Sequence, residues 1–147
     1  THLLKFEPVT DKLQRLARHE LRVSVEGKWR DYTDVFGNRA RRLVIDGECF
    51  PEDPLAFFEP IFAALRRHLG VNPTEPIEAL VRLRYVNSAS TKAFRNLMLM
   101  LEECGKGGAS VTVFWEHDEE DDAMAELGQD ITWDLHYITM QSGALSS

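Results

Sequence analysis

Apolar and polar positions alternate through residues 80 to 86. Leu80, Arg82, Arg84 and Val86 fall on one side of an extended chain, and Val81, Leu83 and Tyr85 on the other. A period of two predicts a β-strand. At Thr91 the period changes. Phe94, Leu97, Met98, Leu101 and Cys104 recur at three- and four-residue steps, with Gly105, Gly107 and Gly108 as the stop. This predicts one amphipathic helix of about three to four turns.

The same logic orders the rest of the chain. Leu21, Val23 and Val25 alternate with Arg22, Ser24 and Glu26, and Leu43 to Ile45 is a second extended run after the turn-rich stretch from Asp31 to Asn38. The two read as a hairpin-like pair of strands. Ahead of them, Thr10 caps a short helix over Asp11 to His19 with Leu13, Leu16 and Ala17 on one side. Residues 46 to 54 form a loop rich in breakers, and Asp53-Pro54 opens a helix with the apolar stripe Leu55, Phe58, Ile61, Phe62, Leu65 and Leu69. Pro60 inside that stripe predicts either a kink or a short first turn, with the main helix starting near Glu59. Ser110 to Trp115 is a β-prone buried strand, the acids behind it cap a short helix through Ala123, Met124 and Leu127, and Ile131, Trp133, Leu135 and Tyr137 alternate as a last strand.

Strands separated by helices predict an α/β fold, a mixed β-sheet covered by helices, with parallel pairs wherever a helix crosses over. The 147 residues, 44% apolar and 28% charged, suit a single domain with a real core. No apolar run is long enough to span a bilayer, and the N-terminus lacks the basic stretch and apolar core of a secretory signal, so a cytoplasmic protein without membrane partners is expected. Cys49 and Cys104 read as reduced thiols, and the five histidines lack the spacing of paired ligands, so no metal or other cofactor is expected.

Charge is distributed unevenly about the net of −7. Residues 1 to 42 hold ten Lys or Arg against six Asp or Glu, whereas the remainder holds seven against eighteen. The window from Glu116 to Asp130 contains eight acids and no Lys or Arg. That face disfavours nucleic acid. It also lacks the alternating ligands and central glycine of a calcium loop, which leaves a solvated or partner-recognition surface.

Chemistry concentrates at the junction Asn87-Ser88-Ala89-Ser90-Thr91-Lys92, where the strand runs into the helix. Ser88, Ser90 or Thr91 could cap the helix, satisfying backbone N–H groups left without partners. The same helix end would equally stabilise a covalently attached phosphate. The chain shows no Ser-His-Asp order, glycine-rich phosphate loop or nucleophile elbow, so catalysis is not expected. Phe57, Phe58, Phe62, Phe94 and the tryptophans could line an apolar ligand site, but at helical spacing they read first as core.

Three blocks resemble the SiaC-type bacterial regulatory phosphoproteins, whose fold is similar to the STAS domains of anti-sigma factor antagonists. The first is Val44 to Pro54 leading into Phe57-Phe58-Glu59-Pro60-Ile61. The second is Leu83-Arg84-Tyr85-Val86-Asn87-Ser88-Ala89-Ser90-Thr91-Lys92. The third is Val111 to Asp118 with Met124 to Asp130 behind it. The likeness implies a STAS-like mixed sheet of four to six strands, with the domain spanning 43–140 and residues 1–42 an N-terminal extension. It implies a switch rather than an enzyme, reversibly phosphorylated on the hydroxyl after the Asn, here Ser88 where relatives often carry Thr. Asn87, Ala89, Ser90, Thr91 and Lys92 would then be site-adjacent residues, with Lys92 able to neutralise part of the added charge. The implied partners are a serine/threonine kinase, a PPM-type phosphatase and a diguanylate cyclase bound by the unmodified form; a homodimer is left open. The alternative is a constitutive protein- or small-ligand-binding module on the same fold, without phosphorylation.

Overall fold

The computed structural model describes residues 21–26, 41–71 and 73–145. The helix expected over Asp11 to His19 and the turn region from Asp31 to Asn38 lie outside the described residues. In chain order the elements are β1 (Leu21–Glu26), β2 (Arg41–Cys49), α1 (Pro54–Val71), β3 (Ile77–Val86), a 3-10 turn (Ser88–Ser90), α2 (Thr91–Lys106), β4 (Val111–His117), α3 (Asp122–Asp130) and β5 (Thr139–Ala144). The strands form one sheet in the order β1-β2-β3-β4-β5. β1 runs antiparallel to β2, and β2 through β5 are mutually parallel. Parallel neighbours cannot be joined by a tight turn, so α1, α2 and α3 each carry the chain back along the sheet. The expected mixed α/β architecture is the one observed.

Alternate strand residues supply the core. Leu43, Ile45, Ile77, Ala79, Val81, Leu83, Val111, Val113 and Trp115 are buried on one sheet face, against Phe58, Ile61 and Leu65 of α1 and Phe94, Leu97, Met98 and Leu101 of α2. Phe94 stands edge-on between Phe58 and Trp115, with ring centroids 5.7 and 6.3 Å away. The Trp115 indole N–H donates to the Met124 carbonyl at 2.8 Å, tying α3 to the sheet. The intervening strand positions carry ion pairs across neighbouring strands: Arg42 with Glu78 at 3.7 Å, Arg82 with Glu116 at 3.2 Å, and Arg84 with Asp46 at 3.3 Å. Arginine is thus compatible with a central strand because the partner strand offers a carboxylate.

Five expectations require correction. The loop read from Asp46 is instead strand as far as Cys49, and Gly47 keeps it going with φ of 130°, a value side chains rarely tolerate. There the register slips: Gly47 pairs with Leu83 and Glu48 with Tyr85, leaving Arg84 as a bulge in β3. The surplus residue reverses the facing of the strand end. Tyr85 turns outward, 50% exposed, and Val86 turns in against the core, opposite to the simple alternation. Of the two outcomes expected at Pro60, the short first turn does not occur: α1 runs from Pro54 to Val71 without interruption. Ala56 and Pro60 are both exposed, so the carbonyl that loses its donor lies on the solvent side.

The last strand is displaced. Residues 131–138 form turns, and β5 begins at Thr139. Two acid-base clasps hold those turns to α2. Arg95 Nη1 and Nη2 donate to the Asp134 carboxylate at 2.8 and 3.0 Å, and Nη1 also reaches the Ile131 carbonyl. The Glu102 carboxylate accepts the backbone N–H groups of His136 and Tyr137 at 3.0 and 2.8 Å. Hydrogen bonds from a helix distant in sequence override the period-two pattern. Gly105, expected as a stop, lies inside α2 and makes room for this segment: a Cβ there would collide with the Tyr137 carbonyl oxygen and lie 2.7 Å from the Tyr137 Cβ.

Gly105→Ala should therefore destabilise the protein by roughly 1–3 kcal/mol, the cost of overpacking, in spite of alanine's better helix propensity. Urea unfolding measures it, and an unchanged or raised stability would contradict the contact. A second prediction concerns pH. His68, in the last turn of α1, is buried, and burial assisted by the Arg41 charge pushes its imidazole down to about 4 from the ordinary 6.5. The unfolded chain then binds the extra proton between those values, so stability should fall by up to about 3 kcal/mol as pH drops from 6.5 to 4. Unfolding midpoints across that window should flatten in His68→Leu.

Candidate functional site

The carboxyl end of β3 lies beside the carboxyl end of β2, and the chain leaves both strands within one small region. Cys49 pairs with Val86 as the last rung. One residue later Asn87 ties the pieces together. Its backbone N–H donates to the Cys49 carbonyl at 2.9 Å, its Nδ2 donates to the Pro51 carbonyl at 3.2 Å, and its Oδ1 accepts the Ser90 N–H at 3.0 Å. The first two bonds fasten the β2–α1 loop to the end of β3. The third is an N-cap on the 3-10 turn that leads into α2.

Capping is therefore assigned to Asn87, and the hydroxyls are freed from it. The Thr91 hydroxyl donates back to the Ser88 carbonyl at 2.8 Å. Ser90 makes no side-chain cap bond at the start of α2. It is fully buried beside the Cys49 thiol, and its Oγ has no partner of hydrogen-bonding geometry among the described residues. Burial pushes that thiol up to about 11, with a smaller opposing influence from Ser90, so the pair is part of the packing beneath the site. Ser88 is exposed, and its hydroxyl makes no hydrogen bond among the described residues. Ala89 and Lys92 are also exposed, whereas Asn87 and Thr91 are half-buried.

The residues expected from sequence are thus brought together in three tiers. Ser88, Ala89 and Lys92 form the accessible surface, Asn87 and Thr91 the scaffold, and Ser90 the floor. Cys49, Pro51 and the Arg84 bulge also set the geometry and were not singled out as site residues from sequence. Only Gly47 within an otherwise regular strand signalled an irregular ladder. Phe50 and Tyr85, 39% and 50% exposed, meet edge to face at 6.1 Å at the same carboxyl end of the sheet. Glu48, Glu52, Asp53 and Glu59 are exposed around the β2–α1 connection. Lys92 and Arg84 are the exposed basic side chains nearest in sequence to Ser88, and Arg84 is paired with Asp46.

Ala89 and Lys92 also stand at one end of an open groove of about 980 Å³ between α1 and α2. Leu55, Phe62, Leu99 and Met100 give it an apolar lining, and Glu59, Arg66, Lys92 and Glu103 add charges of both signs. Among the described residues no group of three or more His, Cys, Asp or Glu could hold a metal ion, and no helix is long and apolar enough to cross a membrane. In the acidic window, Asp121 caps α3 by accepting the Met124 N–H at 3.0 Å and Glu116 pairs with Arg82, while Asp118, Glu119, Glu120, Asp122, Glu126 and Asp130 face solvent.

Comparison with known proteins gives concordant results. A family model described as "SiaC family regulatory phosphoprotein" matches residues 35–144. An uncharacterized protein of Pseudomonas aeruginosa (strain UCBPP-PA14) is 28% identical over 114 residues, which are 78% of this chain and 82% of that one. The structure of the diguanylate cyclase SiaD in complex with its activator SiaC from Pseudomonas aeruginosa superposes with a TM-score of 0.65 at 25% identity, covering 86% of this chain and 94% of the matched one. Apo-SiaC from the same organism gives 0.62 at 27% identity, over 81% and 89% of the two chains.

Asn87→Ala removes the cap and the Pro51 tie together while leaving the backbone bond to Cys49. It should lower stability by about 1–2 kcal/mol and speed hydrogen exchange at residues 50–53 and 88–90. Exchange that is unaltered in both segments would show that the side chain does not hold the junction.

Proposed function

The chain belongs to the SiaC family of regulatory phosphoproteins, and from that premise we propose that it is a non-enzymatic partner-switching protein, reversibly phosphorylated on Ser88. In this reading a serine/threonine kinase adds the phosphate, a PPM-type phosphatase removes it, and the unmodified form binds and regulates a signalling enzyme such as a diguanylate cyclase. The observation that carries it is the state of the Ser88 hydroxyl, exposed at the head of a helix and relieved of capping by Asn87. A hydroxyl committed to a cap would have to break that bond to react. This one has no such commitment, and it projects from a junction fixed by three hydrogen bonds.

The same geometry suits a charge switch. Phosphate adds roughly −1.5 to −2 charge and three acceptor oxygens. Lys92, one helical turn on, offsets part of it. The surrounding Glu48, Glu52, Asp53 and Glu59 do not, so modification deepens an already acidic surface. A partner fitted to the unmodified surface then meets a desolvation cost and a charge mismatch. A SiaC structure in complex with the diguanylate cyclase SiaD supports a cyclase as the partner class.

The groove between α1 and α2 favours one second reading, a constitutive binding module with no phosphorylation. It is open and apolar with charges of both signs, which suits a protein surface better than an enclosed small ligand. The two readings separate on Ser88. Peptide mass spectrometry of protein from its native cells should find phosphate on the peptide containing Asn87 to Lys92. In calorimetry against a diguanylate cyclase, Ser88→Ala should bind like the unmodified protein and Ser88→Asp at least about tenfold more weakly. Equal binding by both variants, or a Ser88 that never carries phosphate, would favour the constitutive module.

A further inference from the structure

β1 runs antiparallel to β2, so the chain enters β1 at the end of the sheet where β2 leaves it: Leu21 pairs with Gly47, just ahead of Cys49. Residues 1–20 therefore join the domain beside the β2–α1 connection. Pro54 and Leu55 open α1 directly after that connection, Ala89 and Lys92 stand at the head of α2, and all four line the groove between the two helices. The mouth of the groove and the attachment point of residues 1–20 thus share one end of the sheet. The family match begins at residue 35, so this segment lies outside it.

The groove suits an apolar occupant. Leu55 on α1 and Leu99 on α2 are 74% and 38% exposed, although each belongs to a helix whose other side fills the core. Phe62 and Met100, both half-buried, continue the apolar strip between them. Charge narrows the choice, because Glu48, Glu52, Asp53 and Glu59 are exposed around the β2–α1 connection. An apolar segment flanked by basic residues complements that surface.

Residues 1–20 have this composition. Leu13, Leu16 and Ala17 recur at the i, i+3, i+4 spacing of helices that seat in apolar grooves, and Leu3, Leu4, Phe6 and Val9 precede them. Lys12, Arg15 and Arg18 fall in a window, residues 12–19, that holds no Asp or Glu. From Leu21 the chain can reach at most about 18 Å at Leu16 and about 29 Å at Leu13, against the roughly 10–12 Å thickness of one helix. A tether this short presents the segment at an effective concentration on the order of millimolar, so a modest contact is enough to hold it. A second copy offers the same segment without the tether and brings a net charge of −7 with it.

We propose that residues 1–20 fold back onto their own domain, seating Leu13 and Leu16 in the groove between α1 and α2 with the basic window towards the acids of the β2–α1 connection. The segment is then a built-in occupant, and a protein partner that uses the groove has to displace it. Ser88 lies beside the mouth but is not part of the lining, and docking of the segment does not require phosphate there.

Paramagnetic relaxation in the full chain tests this, with a nitroxide attached at Gln14→Cys in a Cys104→Ser background; Cys49 is buried and stays unlabelled. The label should broaden the amide signals of Phe62 and Arg66 on α1 and of Asn96, Leu99 and Met100 on α2, which line the groove beyond its mouth. Adding Leu13→Asp together with Leu16→Asp should abolish that broadening, and Leu99→Asp in the opposite wall should do the same, with the circular dichroism of the domain retained. Broadening that persists in either Asp variant, that is absent, or that falls on the sheet instead of the groove would overturn the proposal. So would broadening of an unlabelled, isotope-enriched copy by a labelled one, which would assign the groove to a second chain.

Discussion

The parallel pairing of β2 with β3 carries the molecule, and one surplus residue in it decides how the chain faces as it leaves the sheet. Up to Leu83 the odd-numbered residues of β3 fill the core. Had the ladder continued, Tyr85 would have turned inward with them, and Val86 outward. Arg84 absorbs one position, its guanidinium satisfied by Asp46, and Gly47 supplies the backbone angle that lets β2 follow. Val86 then anchors the strand end from inside, and Asn87 emerges where it can reach Cys49, Pro51 and Ser90 together. The cost of a bulge in mid-ladder is offset by a junction that is over-determined.

Helix α2 is the second organising element, because each of its sides meets a different demand. Its apolar side closes the core through Phe94, Leu97, Met98 and Leu101. Arg95 and Glu102 fasten residues 131–138, a stretch without regular structure that must still be held before β5 can dock. Its exposed side forms one wall of the groove, and its first turn carries Lys92 behind Ser88. Glu102 shows how economically this is done: its carboxyl is held below the usual range by the two backbone N–H groups it accepts, against an opposing push from desolvation.

The parts legible in the sequence were those governed by a dominant period. The buried faces of β3 and β4 and the stripes of α1 and α2 follow directly from where Val, Leu, Ile and Phe recur, with the exception of Leu55, which the α1 stripe included and which is 74% exposed, and the Asp121 cap follows from an acid preceding a short apolar turn. What escaped was decided by contacts between segments distant in the chain. Ile131 to Tyr137 alternates as well as any strand, yet α2 supplies it with hydrogen bonds that no local pattern reveals. Thr139 to Ala144 has weak strand propensity and becomes a strand because β4 offers it a parallel edge. At the site, the small-residue run after Asn87 was conspicuous, but which oxygen would cap and which would be left over depended on a bulge two strands wide. Pro51 could not have been paired with Asn87 from sequence, since their contact exists only once β2 and β3 are in register.

The division of labour at the junction also bears on what kind of signal the molecule could transmit. Levers work by breaking the contacts that define one shape and making those of another. Here the contacts that define the shape belong to Asn87, Cys49, Pro51 and the buried Ser90, and the Ser88 side chain takes part in none of them. A group attached to that oxygen would leave the scaffold as it was. It would act as a label on a rigid surface, read by whatever docks there, and the conformational work of signalling would fall to the reader.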